Sequence, residues 1–184
     1  MTDEQLIEKT LESTPIFDGR VIYVHHDKAL LPDGSTAMRE IVAHPGGVCV
    51  AALTDEEELL FVRQFRYPYM AIVTELPAGK LERGEDPLKA GIRELSEETG
   101  ATAQNIVSLG KLYPTPGYCG EIIHMYLATG LTFGNQHTDE DEFLDVLRIP
   151  LQQAVDMVMA GELPDSKTQT AILKVAYMKA HGML

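Results

Sequence analysis

The chain has 184 residues, 28 acidic against 15 basic, for a formal charge of −13 at pH 7. That length suits one domain able to bury its own core, and 45% hydrophobic with 23% charged residues excludes wholesale disorder. The acidic excess excludes a nucleic-acid partner, which needs a basic face, and fits both solubility and sites for divalent cations.

Two cysteines, Cys49 and Cys119, are too few for a disulfide scaffold or a four-ligand zinc site. Cys49, in the apolar run Val48-Cys49-Val50, reads as a small core residue. Met1-Thr2-Asp3-Glu4-Gln5 lacks the basic-then-apolar layout of a signal peptide. No apolar run approaches the ~20 residues that span a membrane, so the expectation is a cytoplasmic protein with no membrane partner.

In chain order, the first 43 residues predict short extended segments. Val21–Val24 and Met38–Val42 are strand-like, with Leu31-Pro32-Asp33-Gly34-Ser35 as a tight turn between them. His44-Pro45-Gly46-Gly47 breaks the chain. Val48–Leu53 and Leu59–Phe65, joined by the acidic turn Thr54–Glu58, read as a hairpin. A helix is predicted from Pro87 to Thr99, capped by Asp86 and stopped by Gly100, with Leu88, Ile92, Leu95 and Thr99 on an inward face. Strands are expected at Ile122–Leu127 and Phe143–Ile149. Helices should follow over Leu151–Ala160 and from a cap at Asp165 or Ser166 to Lys179. This mixture suggests an α+β fold or a three-layer α/β/α domain.

Chemistry concentrates on the first helix. Glu94 lies four residues from Glu98 and three from Glu97, so these carboxylates are neighbours and repel. Arg93, four residues before Glu97, can hold one of them by pairing. The others, with Glu85 near the helix entry, make an oxygen-rich cluster suited to Mg²⁺ or Mn²⁺. On most helices a Glu-Glu pair is only a solvated acidic face; the glycines at both ends and the Arg93 pairing set this one apart.

The stretch matches the Nudix box in register at Gly79, Glu85, Arg93, Glu94, Leu95, Glu97, Glu98 and Gly100. Ala101 departs from it, standing where a bulkier aliphatic is usual. The chain therefore resembles the Nudix hydrolases, which cleave a nucleoside diphosphate linked to another group. Four flanking blocks resemble the bacterial ADP-ribose pyrophosphatase branch of that family. They are Arg39–Gly46, Leu59–Arg66 with Glu75–Gly79, Tyr113–Tyr118, and Asp139–Glu142 before Phe143, and they include Pro116 about sixteen residues beyond the box.

The resemblance implies a Nudix α/β/α sandwich with a mixed central sheet over residues 44–184. It also implies an N-terminal antiparallel β extension over residues 1–43 that exchanges strands in a homodimer. Mg²⁺-dependent cleavage of ADP-ribose to AMP and ribose 5-phosphate is the implied activity. The implied metal ligands are the Ala78 carbonyl, Glu94, Glu98 and Glu142. Glu140 is the implied general base, with Glu97 also in the catalytic set. Arg39, Arg66, Glu121 and Pro116 are the implied substrate contacts. A strand arginine such as Arg39 is as often a surface pairing residue, and Tyr118 can either stack on a base or pack against its loop. Rival readings are another nucleotide sugar such as GDP-mannose, or a non-catalytic ADP-ribose sensor. The absence of Trp weighs against an NADH-specific relative.

Overall fold

The computed structural model describes residues 1–138 and 142–184. The chain forms two compact units: Met1–Gly46 with Tyr113–Ile122, and Gly47–Leu112 with Ile123–Leu184.

The first unit is an antiparallel sheet of three strands, β1 (Lys9–Asp18), β2 (Tyr23–Leu30) and β3 (Thr36–Ala43), in that order. Asp33 ties the β2–β3 turn by accepting from the Ser35 N–H and hydroxyl. The segment 113–122 lies along the free edge of β3. The Val42 N–H donates to the Tyr118 carbonyl (2.8 Å), and the Gly120 N–H donates to the Val42 carbonyl (2.9 Å). All ten residues of β1 are exposed.

The second unit holds two sheets and three helices. One sheet has the order β7 (Ala78–Lys80), β4 (Gly47–Ala52), β9 (Ile123–Phe133), β8 (Ala101–Leu112); β4 and β9 run parallel and the other pairs antiparallel. The other sheet is antiparallel, in the order β10 (Leu144–Pro150), β5 (Glu58–Arg66), β6 (Ala71–Glu75). The helices are α1 (Pro87–Thr99), α2 (Leu151–Met159) and α3 (Ser166–Ala180). No described helix is long and apolar enough to cross a membrane.

The layering follows from alternation along β4, every residue of which is buried. Successive strand side chains point to opposite faces. Cys49, Ala51 and Leu53 join a core with Leu151 and Ala154 of α2 and Ala171, Ile172 and Val175 of α3. Val48, Val50 and Ala52 pack instead with Ala90 and Leu95 of α1. Helices thus cover both faces of a mixed sheet, the expected α+β, three-layer arrangement. Burial also isolates Cys49, whose thiol is pushed up to about 12.

Two local expectations fail. The predicted hairpin is a corner between sheets: β4 and β5 share one bridge, Leu53 with Leu59, and then part. Both are continuous apolar runs, which suit central strands with two neighbours each, and each has them. The turn itself is tight, with Glu57 in the left-handed region at φ 65° and its N–H donating to the Thr54 carbonyl. The inward face of α1 is also displaced from the expected one. Leu88 and Ile92 are exposed, and the buried residues are Ala90, Gly91, Glu94, Leu95 and Glu98. Two carboxylates occupy the core-facing stripe where apolar side chains were expected.

Candidate metal and substrate site

Helix α1 begins and ends as its sequence dictates. Asp86 accepts from the Leu88 and Lys89 N–H groups, both at 3.1 Å, and Pro87 fills the first turn. Gly100 closes the helix at φ 69°, and its N–H donates to the Ser96 carbonyl. The segment after β9 then satisfies the last carbonyls of the helix, which have no partners within it. His137 N–H donates to the Glu97 carbonyl (3.0 Å), Gln136 Nε2 to the Glu98 carbonyl (2.7 Å) and Gly134 N–H to the Gly100 carbonyl (2.8 Å). A side chain on Gly100 would meet the Gly134 carbonyl at 2.6 Å, so residue 100 is glycine for space as well as conformation.

Arg93 organises the acidic side chains around it. Its Nε and Nη2 grip both oxygens of Glu85 at 3.0 and 3.1 Å, while Nη1 donates to Glu94 Oε1 (2.9 Å) and Glu97 Oε2 (2.8 Å). The Arg93 hydrogen bonds hold the Glu85 carboxyl below its ordinary value. With both oxygens engaged, and one also accepting from the Glu82 N–H, Glu85 serves to fix Arg93. Three carboxylates in turn raise the basicity of Arg93 itself.

Glu94 and Glu98 face inward from the same helix. Burial pushes the Glu94 carboxyl up, against the pull of Arg93. Burial likewise pushes Glu98 up to about 8, in spite of the Ala78 N–H donating to its Oε2 at 2.9 Å; the negative charges of Glu94, Glu142 and Glu75 add to the rise. The backbone between them is shaped for this approach. A methyl group built on Gly79 would overlap the Glu94 carboxylate, so the box glycine lets α1 bring its carboxylates against β7.

This donor set fits a small hard cation. Among the described residues, no three His, Cys, Asp or Glu side chains are arranged to cage an ion alone. Mg²⁺, however, usually takes only one or two carboxylates, with water and substrate phosphate completing its shell. Two buried carboxylates, of which Glu98 has no cation among its described partners, are such a set. Glu142 is exposed, and its charge reaches both Glu94 and Glu98. Glu140 lies outside the described residues. Glu97 keeps a half-exposed side chain, with one oxygen on Arg93.

Arg66 ends β5 in the same unit. Its Nε donates to Glu75 Oε1 at 2.6 Å. Glu75, on β6, is 1% exposed, and its other oxygen accepts from Lys167 Nζ at the start of α3. Lys167 also pairs with Asp165 Oδ1 at 3.0 Å. One residue on, Thr168 Oγ1 accepts from the Leu76 N–H at 2.9 Å. The sequence reading gave Glu75, Lys167 and Gln136 no role. A lone Glu after Ile72-Val73-Thr74, in an otherwise apolar strand, was the available signal for the first.

The remaining expected residues lie in the first unit. Arg39 forks onto Glu8 through Nε (2.9 Å) and Nη2 (2.7 Å). Pro116 is exposed in its turn, and Glu121 is half-buried with its Oε1 3.5 Å from His44 Nδ1. That His44 nitrogen also accepts from the Gly46 N–H at 3.0 Å.

A helix that buries its carboxylates against a glycine strand, clamped by one arginine, is the signature of a family, and the family model for the NUDIX domain matches residues 43–169. The chain belongs to the Nudix family. It is 43% identical over 171 residues to the ADP-ribose pyrophosphatase of Bacillus subtilis (strain 168), covering 92% of each chain. It is 42% identical over 167 residues to the methanol dehydrogenase activator of Bacillus methanolicus, covering 90% of each. A crystal structure described as that of an ADP compounds hydrolase shares the fold, with TM-score 0.83 at 22% identity, over 97% of this chain and 98% of that one.

Proposed function

We propose that this protein hydrolyses the diphosphate of ADP-ribose to AMP and ribose 5-phosphate with the help of Mg²⁺, for which Mn²⁺ can substitute. The observation that carries the reaction type is Glu98, a carboxylate buried without a cation and held to the Ala78 N–H. Such a group is costly to ionise unless a positive ion joins it. The substrate rests on the Bacillus subtilis relative, whose likeness spans nearly the whole of both chains.

Glu94, Glu98, the Ala78 carbonyl and Glu142 would hold the ion. Bound there, it would neutralise the diphosphate charge and make an attacking water more acidic. Arg93 keeps Glu94 and Glu97 from swinging apart. Glu140 is the proposed proton acceptor, with Glu97, whose second oxygen is not used by Arg93, as the other carboxylate in reach of solvent. Arg66 offers its remaining guanidinium donors to a phosphate. Arg39 releases Glu8 to do the same, and Glu121 and Pro116 complete the substrate contacts.

The working form is a homodimer in this proposal. Leu11, Ile16 and Phe17 of β1 are each 55% exposed, apolar surface that a second copy would cover. Light scattering on an eluting peak should give twice the chain mass, and a clean monomer would overturn the dimer. Both cysteines are free, in keeping with a reducing cytoplasm.

A product assay tests the function, with ADP-ribose, ADP-glucose, GDP-mannose, NADH and dGTP at fixed Mg²⁺ and Glu98→Gln alongside. ADP-ribose should be cleaved fastest to AMP. The variant should lose more than about a hundredfold in rate, because even groups that merely support a metal ligand are worth 10–100-fold. Faster cleavage of GDP-mannose would replace the substrate and keep the reaction, whereas binding of ADP-ribose with no product would make the protein a sensor.

A further inference from the structure

Among the described residues three arginines pair with a glutamate, and they do so in two ways. Arg93 grips both oxygens of Glu85, and Arg39 grips both oxygens of Glu8. This two-pronged fork is the stronger arrangement for arginine on a carboxylate. Arg66 does not adopt it: its Nε contacts Oε1 of Glu75, and no second contact to Glu75 is present among the described residues. The other oxygen accepts from Lys167 Nζ, a full positive charge that repels a second guanidinium nitrogen, whereas the extra partner on Glu85 is a neutral backbone N–H.

We infer that Lys167 is a positioning residue for substrate: by occupying Oε2 of Glu75 it restricts Arg66 to a one-nitrogen contact and leaves the outer guanidinium nitrogens free for a diphosphate. The inference rests on the reading of Arg66 as a substrate arginine. Exposure differs among these charges in the way this role needs. The Glu75 side chain is 2% exposed, that of Lys167 11% and that of Arg66 38%. The arginine is the most exposed of them, and Asp165 follows at 21%. Asp165 holds Lys167 from its other side, so the four charges sum to zero and the lysine keeps its proton. Burial pulls its basicity down, and Glu75 and Asp165 more than reverse that.

Remove the ammonium and Glu75 keeps a buried oxygen with no cation. Arg66 is then the nearest remaining partner and swings into the two-pronged fork that Arg93 and Arg39 already show. Donors meant for the substrate turn inward. The loss falls on binding that is the same for substrate and transition state, which raises KM and spares kcat.

A kinetic double-mutant cycle tests this with wild type, Lys167→Met, Arg66→Ala and the pair, under steady-state turnover of ADP-ribose at fixed Mg²⁺. Lys167→Met should raise KM on the order of tenfold, the scale of one charge-assisted hydrogen bond, with kcat little changed. In the Arg66→Ala background the same substitution should add nothing further. Lys167→Gln, which keeps a neutral donor at Oε2, should raise KM less than Met does, and it serves in the cycle if the Met variant fails to fold by circular dichroism. Equal KM increases with and without Arg66, a fall in kcat at constant KM, or an unchanged KM in every folded Lys167 variant would each overturn the inference. So would a wild-type KM in Arg66→Ala. If wild type prefers another nucleotide sugar, the ADP-ribose reading fails by itself, and the cycle is run on that sugar.

Discussion

Glu75 and Glu98 are carboxylates of the same unit, 1% and 2% exposed, and the protein treats them in opposite ways. Glu75 has a cation on each oxygen, Arg66 and Lys167. Glu98 has a backbone N–H on one oxygen, like charges around it and a carboxyl raised to about 8. Two glutamates with the same burial therefore store opposite things. The first is satisfied and locks α3 to β6. The second is left short of positive charge, a deficit that a bound metal ion would fill. Burial alone does not mark a functional carboxylate; burial without a counter-charge does.

The largest effect that tests this contrast is on the satisfied member. Glu75→Ala leaves Lys167 buried with only Asp165 beside it, and breaking a buried pair in this way costs about 3–5 kcal/mol. Urea unfolding should show that loss, and a stability equal to wild type would end the claim that Glu75 is a structural lock. The opposite sign is expected at Glu98. A carboxyl raised in the folded state binds its proton more tightly there than in the unfolded chain. Its contribution is then fully present below its ordinary value of 4.5 and is lost as pH rises through about 8. Metal-free protein should accordingly melt lower at pH 8.5 than at pH 6 through this group. Glu98→Gln should flatten that slope and melt above wild type at pH 8.5 in a thermal scan, while losing activity. Added Mg²⁺ should raise the melting temperature more at pH 8.5 than at pH 6, since the ligands must shed protons to bind it. The smallest effect serves as the baseline. Asp86→Ala removes the cap of α1 without touching either glutamate and should cost about 1 kcal/mol at any pH where Asp86 is ionised.

The sequence made α1 legible from end to end, because Asp86-Pro87 and Gly100 are local signals that act on their own backbone. It concealed which way the helix faces. Leu88 and Ile92 carry more apolar surface than Gly91 or Ala90, yet they point outward, because the side that meets β4 and β7 must be slim and must carry Glu94 and Glu98. The corner between β4 and β5 was hidden for a similar reason: two apolar runs and a tight turn look the same whether the strands pair with each other or with others. Strand β1 contains Lys9, Glu12, Ser13 and Pro15 and lacks an apolar pattern, so nothing local announced its ten residues. The carboxylates proposed as metal ligands on α1 were readable as a motif spaced along one helix. The Glu75–Lys167 pair was not, since its members stand 92 residues apart and only the fold brings them together.

Strand β4 has one more consequence, for kinetics. Cys49 sits in the middle of it with no exposed surface and a thiol raised to about 12, so it is chemically silent while the strand keeps its neighbours. Cys119 is partly accessible in the first unit. A thiol reagent therefore finds two clocks in one molecule: Cys119, partly exposed, reacts in the folded chain, and Cys49 reacts only as fast as the central sheet comes apart.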